Sequence, residues 1–171
     1  MTFIIMKERI EEQETLEEQE KLEQLLETYS DSELLDLGRR YVEDENYRSA
    51  LNTFQKCRRS ARPIKQIGQL YCFLVSGVLT TTNDGLGKHL RENAYSNNFI
   101  DLVIYCLFTS KKMHSEGELP KEDLFNLENL VDKIDLNQID LNKIDVSKKE
   151  EFYKMYCKFK EYTADVFMRV K

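Results

Sequence analysis

His89 and His114 are the only histidines in 171 residues, and imidazole is the side chain best suited to moving protons or binding metals near neutral pH. Neither has a second His or a Cys at a helical or finger-type spacing that would aim two donors at one ion. Cys57, Cys72, Cys106 and Cys157 are widely separated and fall in apolar stretches, the pattern of buried free thiols in a reducing compartment rather than of a disulfide framework or zinc cage. No G-x-x-x-x-G-K-[ST] loop occurs, and Gly85-Leu86-Gly87 follows a helical stretch and lacks a third glycine, so it reads as a turn. Nothing resembles the G-x-S-x-G nucleophile elbow. The expectation is a chain that is not an enzyme, with no metal, no cofactor and no small-molecule substrate.

Charge is organised more clearly than nucleophiles are. Up to Ser30 nine Glu face only Lys7, Arg9 and Lys21, so this opening segment accounts for the whole formal charge of -6 and the remaining body is neutral. Within the body Lys56, Arg58, Arg59, Arg62 and Lys65 cluster with no acid between them. Five cations at a helix end and its following loop could approach phosphates, so docking on a ribonucleoprotein such as the ribosome is one expectation. A solvated cluster offset by the acidic opening is the plainer one.

The elements that must position these groups read as helices throughout. With 33% charged residues, 6 Gly and 2 Pro, long breaker-free segments suit an all-α chain of one compact unit. Residues 7–29 are strong helix formers and predict a long, acidic, exposed helix whose thin apolar stripe ends on Leu22, Leu25, Leu26 and Tyr29. Ser30 with Glu33 reads as a capping box that starts the next helix near Asp31. Gln66 to Thr82 predicts a largely buried helix with residues 86–95 as its shorter partner. Phe99 to Ser110 is apolar almost all round, implying a core covered on several sides. Pro120 fits the first turn of a helix carrying Leu124, Phe125, Leu127, Leu130 and Val131. Ser147 with Glu150 reads as a second capping box, opening a helix with an aromatic stripe of Phe152, Tyr153, Tyr156, Phe159, Tyr162 and Phe167. No apolar run approaches the ~20 residues of a membrane span, and the opening Phe3-Ile4-Ile5-Met6 is followed by acids, unlike a signal peptide. A soluble, cytoplasmic protein is expected.

Between Ser32 and Pro63, Leu34, Leu37, Gly38, Tyr41, Tyr47, Ala50, Phe54 and Pro63 fall on a regular spacing. It resembles one tetratricopeptide repeat, W-x2-L-G-x2-Y, then A-x3-F, then P. Leu34 stands for the Trp, and Pro63 comes about one place late. Gly38 and Ala50 are the small positions where two helices can approach, and Asp44 to Asn46 is the turn between them. The resemblance implies antiparallel helix pairs stacked as a superhelix over 31–133, preceded by the acidic helix of 1–30 and closed by the helix of 148–171. It implies a protein-protein interaction module or adaptor in a larger assembly, with Arg39, Arg40 and Glu43 lining a groove for the partner.

Two further resemblances are local. Ile134 to Lys148 repeats a five-residue unit, Ile-Asp-Leu-Asn-Gln, Ile-Asp-Leu-Asn-Lys, Ile-Asp-Val-Ser-Lys, similar to pentapeptide-repeat β-helices. Three units are too few to stack, so 134–147 reads as an irregular insertion. Gln69 through Phe99, with Lys88-His89-Leu90-Arg91-Glu92 and Tyr95-Ser96-Asn97-Asn98-Phe99, resembles the C-terminal part of gamma-type soluble NSF attachment proteins, as does the ending Phe167-Met168-Arg169-Val170-Lys171. That resemblance implies a part in the vesicle-fusion machinery; the acidic opening and the five-residue units depart from it.

Overall fold

A computed structural model describes residues 16–21, 23–57, 60, 62–80, 96–134 and 145–169. The Ser30 hydroxyl oxygen accepts from the Glu33 amide at 3.2 Å, and the Glu33 carboxylate accepts from the Ser30 amide at 3.2 Å. This reciprocal cap satisfies two amides that lack helical partners, and α1 begins directly after it, Asp31–Glu43. It ends where Glu45 turns left-handed at φ 59 and the Asn46 amide reaches back to the Tyr41 carbonyl at 2.8 Å, closing the orphan carbonyls. Asn46 then caps α2, Tyr47–Phe54. The expected turn over Asp44 to Asn46 is therefore present, and each of its residues has a bonding role.

The remaining helices are α3, Ile64–Thr80, α4, Ser96–Ser115, α5, Lys121–Lys133, and α6, Val146–Arg169. Pro120 caps α5, where its fixed φ and missing N–H cost nothing. α6 starts ahead of the expected Ser147 cap, because the Lys148 and Lys149 amides already bond the Asp145 carbonyl at 3.0 and 3.1 Å. Among the described residues none lies in a strand, and the molecule is all-α. No described helix is long and apolar enough to cross a membrane.

Pairs of facing residues give the topology. Gly38 of α1 meets Phe54 of α2, and Gly68 of α3 meets Cys57 just beyond α2. Phe73 and Gly77 of α3 face Tyr105 and Phe99 of α4 respectively, so those two helices are antiparallel. Phe125, Glu128 and Asp132 of α5 face Phe167, Thr163 and Tyr156 of α6, also antiparallel. Across pairs the order is parallel: Tyr71 and Gly77 of α3 meet Asp123 of α5 and Ile134 just past its end. Likewise Asp101 and His114 of α4 meet Lys148 and Tyr162 of α6. The described helices α1 to α6 thus make three antiparallel pairs, with α1, α3 and α5 running one way. Residues 86–95, expected to pair with α3, lie outside the described residues; its described antiparallel neighbours are α2, through Phe54 against Tyr71 and Cys57 against Gly68, and α4.

α3 is the centre, touching α1, α2, α4 and α5. It contains no acidic residue and buries Ile67, Leu70, Tyr71, Leu74, Val75, Val78 and Leu79, each large apolar side chain contributing about 1.5–3 kcal/mol relative to an exposed one. Gly38 and Ala50 are both buried. A Cβ on Gly38 would lie 2.3 Å from the Phe54 ring, and that ring is stacked on Tyr71 at 4.5 Å and 2°. The small residue therefore admits an aromatic ring rather than a neighbouring backbone. Leu34 sits apart in a satellite cluster with Leu26 and Cys57, edged by Tyr29 and Leu37.

That cluster is what anchors the acidic opening. Residues 16–21 and 23–27 are helical and exposed except for Leu26, and the expected helix stops short of Tyr29, with Thr28 to Ser30 non-helical; residues 1–15 and 22 lie outside the described residues, as do 135–144 of the five-residue units. The four cysteines are free thiols. Burial pushes Cys57 and Cys106 up to about 12, with Asp31 adding to the effect at Cys57. Cys157 departs from expectation by being exposed, since it lies on the outer side of α6 with Lys154, Lys158 and Glu161.

Candidate functional site

The three parallel helices are tied together by a buried polar lock. The Arg39 guanidinium on α1 donates two hydrogen bonds to Asp123 on α5, Nε to Oδ1 at 2.7 Å and Nη2 to Oδ2 at 2.6 Å. The Tyr71 hydroxyl on α3 donates to Asp123 Oδ1 at 2.5 Å and accepts from Asn126 Nδ2 at 3.2 Å. Asp123 is 0% exposed and the Arg39 side chain 19%, so the forked pair lies largely out of water, where charge-assisted bonds are strong and an unmatched charge is costly. The Asp123 bond holds the Arg39 guanidinium above its ordinary range against the opposing effect of burial. Burial, reinforced by the Asp123 charge, raises Tyr71 well above the usual phenol value. Arg39 also bonds Asp36 at 2.7 Å.

Beside the lock, toward the end where α1 turns into α2, lies an open cleft of about 280 Å³ lined by Val42, Glu43, Glu45, Tyr47, Asn126, Asn129, Leu130 and Lys133. Lys133 forms one wall, donating to Glu45 at 2.5 Å and to the Tyr47 hydroxyl at 2.7 Å, and the Glu45 bond raises its pKa most. Asn129 is exposed and Asn126 half-buried. A carboxamide offers both a donor and an acceptor, so two of them, four and seven residues before Lys133 on α5, can bind backbone amides without demanding a particular sequence. Nothing here sets up a nucleophile with a base. Among the described residues no group of three His, Cys, Asp or Glu is placed to hold a metal.

The sequence-expected residues fall in different places. Arg39 is engaged in the lock, Arg40 is exposed, and Glu43 lines the cleft. Of the basic cluster, Arg62 and Lys65 are exposed, while Lys56 is half-buried in a second cleft that Glu27 also lines. Arg58 and Arg59 lie outside the described residues. Ser60, next in sequence, is described, and its amide donates to the Asp31 carboxylate at 2.6 Å.

Asp123, Tyr71, Asn126 and Lys133 were not singled out by sequence. A signal existed for Asp123: it shares a helical face with Leu127, Leu130 and Ile134, all buried, and a lone carboxylate in an apolar stripe marks a buried charge in need of a partner. No family model, curated protein or solved structure matches the chain.

Proposed function

We propose that the chain is a non-enzymatic helix-pair scaffold of tetratricopeptide type, a cytoplasmic adaptor that holds a segment of another protein between α1 and α5. The carrying observation is the open cleft of Glu43, Asn126, Asn129 and Lys133 next to the Arg39–Asp123 lock. A binding surface that keeps its shape before the partner arrives loses less freedom on association, and the lock fixes the separation of the helices that carry the cleft. The burial of Gly38 and Ala50 and the three antiparallel pairs support the same reading.

The test is affinity capture from native extract on the full chain, run in parallel with Asn129→Leu and with Lys133→Glu. A protein enriched on the wild type and lost on both variants, each melting as the wild type does, is the expected result. Recovery of the same material on all three, or of none, overturns the cleft assignment.

A further inference from the structure

A second surface, on the outer side of α3 and α4, violates the usual distribution of apolar groups. Phe73 on α3 is 39% exposed, and Leu102, Tyr105 and Phe108 on α4 are 43%, 46% and 54% exposed. Their spacing puts Phe73 on one face with Gln69 and Lys65, and puts Tyr105 and Phe108 on one face with Lys112. All six of these side chains, and Leu102, are exposed. Because α3 and α4 are antiparallel, the two faces combine in a stripe that is apolar over Leu102, Tyr105, Phe73 and Phe108 and cationic over Lys65 and Lys112. Arg62, also exposed, lies at the same end. Between the helices an apolar dimple of about 90 Å³, lined by Phe73, Gly77, Phe99, Leu102 and Cys106 among others, takes the tip of one side chain.

Scattered exposed hydrophobics need no explanation, but four that adjoin one another on two helices mark a contact surface. The stripe runs from Leu102 to Lys112, about 15 Å at 1.5 Å per residue, which is close to three turns of a third helix laid into the groove between two others. The charge selects the occupant. α3 has no carboxylate, and the single acid of α4, Asp101, is held by Lys148 of α6 at 2.8 Å. Neither Lys65 nor Lys112 forms an ion pair with a described residue. A polyanion such as RNA or an anionic bilayer is favoured by a broad run of cations and disfavoured by a chain of formal charge -6. Here the cations are confined to one end of an apolar strip.

We infer that this face of α3 and α4 docks an amphipathic helix of a partner protein, with leucine-like side chains over Phe73, Leu102, Tyr105 and Phe108 and carboxylates at the end that meets Lys65 and Lys112. The face is separate from the Asn129 cleft, so the two assignments fail independently.

The test uses the full chain and two synthetic 18-residue helical peptides as probes, about five turns each. Both have Leu at i, i+3, i+4 and i+7; one carries Glu elsewhere and the other Lys. Fluorescence anisotropy should show the Leu/Glu peptide binding in preference to the Leu/Lys peptide. Binding should weaken about tenfold or more in Phe108→Ser, as for a central contact residue, and the peptide preference should reverse in the double variant Lys65→Glu, Lys112→Glu. Asn129→Leu should leave binding unchanged. Equal affinity for the two peptides, or indifference to the face variants while circular dichroism shows them folded, overturns the inference. So does a wild-type dimer in sedimentation that Phe108→Ser dissolves, which would give the face to a second copy. Binding of an RNA oligonucleotide or of anionic vesicles in preference to the peptide, lost in the same variants, would likewise give it to a polyanion.

Discussion

The inner and outer sides of α3 are opposites in the wrong sense. Tyr71 points inward and finds a carboxylate and, through it, a guanidinium, whereas Phe73, two residues on, points outward among other exposed aromatics. Polarity alone therefore does not assign burial. A charge can go inside when every bond it needs is waiting, as Asp123 receives three from Arg39 and Tyr71, and a ring can stay outside, as Phe73 does beside Tyr105. The inner side sets how three helices lie together; the outer side is free of that duty.

The contrast breaks most visibly at Asp123. Asp123→Ala leaves a largely buried guanidinium with only Asp36 and a buried phenol with only Asn126, and the expected loss is about 3–5 kcal/mol in urea or thermal unfolding. Gly38→Ala should come next. It drives a Cβ into a Phe54 ring that Tyr71 holds in place, and overpacking of about 1–3 kcal/mol outweighs the gain of up to about 1 kcal/mol in helix propensity. The added Phe54→Leu change should make the pair non-additive in a double-mutant cycle.

Smaller still is the effect of acid on α4 and α6. His114 Nδ1 lies 2.6 Å from the Tyr162 hydroxyl, and burial lowers the pKa of His114 below its usual value. The unfolded chain therefore takes up the proton first. Stability should be full above the ordinary imidazole pKa and decline as pH falls from there toward the lowered folded value. Melting between about pH 7.5 and 5.5 should show a shallower decline in His114→Phe than in the wild type. Last, Phe108→Ser should shift unfolding by no more than about 0.5 kcal/mol. A loss comparable to that of Asp123→Ala would mean the outer side is structural too, and the contrast between the two sides would collapse.

Much of the fold was legible because its signals are local. The Ser30 and Glu33 cap, the Asp44 to Asn46 turn and the start after Pro120 each depend on a few consecutive residues whose backbone needs are fixed by their type. Burial of Gly38, Ala50 and Phe54 was legible from periodicity. What periodicity lacks is a direction outward. An apolar surround on Phe99 to Ser110 suggested a core on several sides, yet Leu102, Tyr105 and Phe108 face away from it. The neighbour of α3 was equally hidden, since an amphipathic stripe says that a helix packs and not against which one. The lock depends on residues 84 positions apart, Arg39 and Asp123, and no local rule joins them.

Asp123 is the third residue of α5, within the turn whose unpaired amides carry roughly half a positive charge. Its carboxylate is consequently favoured by its own helix as well as by Arg39. The two halves of the ion pair are therefore unequal: an anion deprived of Arg39 still has a helix terminus and a phenol to lean on, while a cation deprived of Asp123 has only a surface acid. Replacing the arginine should be the gentler injury, and engineering has more latitude on α1 than on α5.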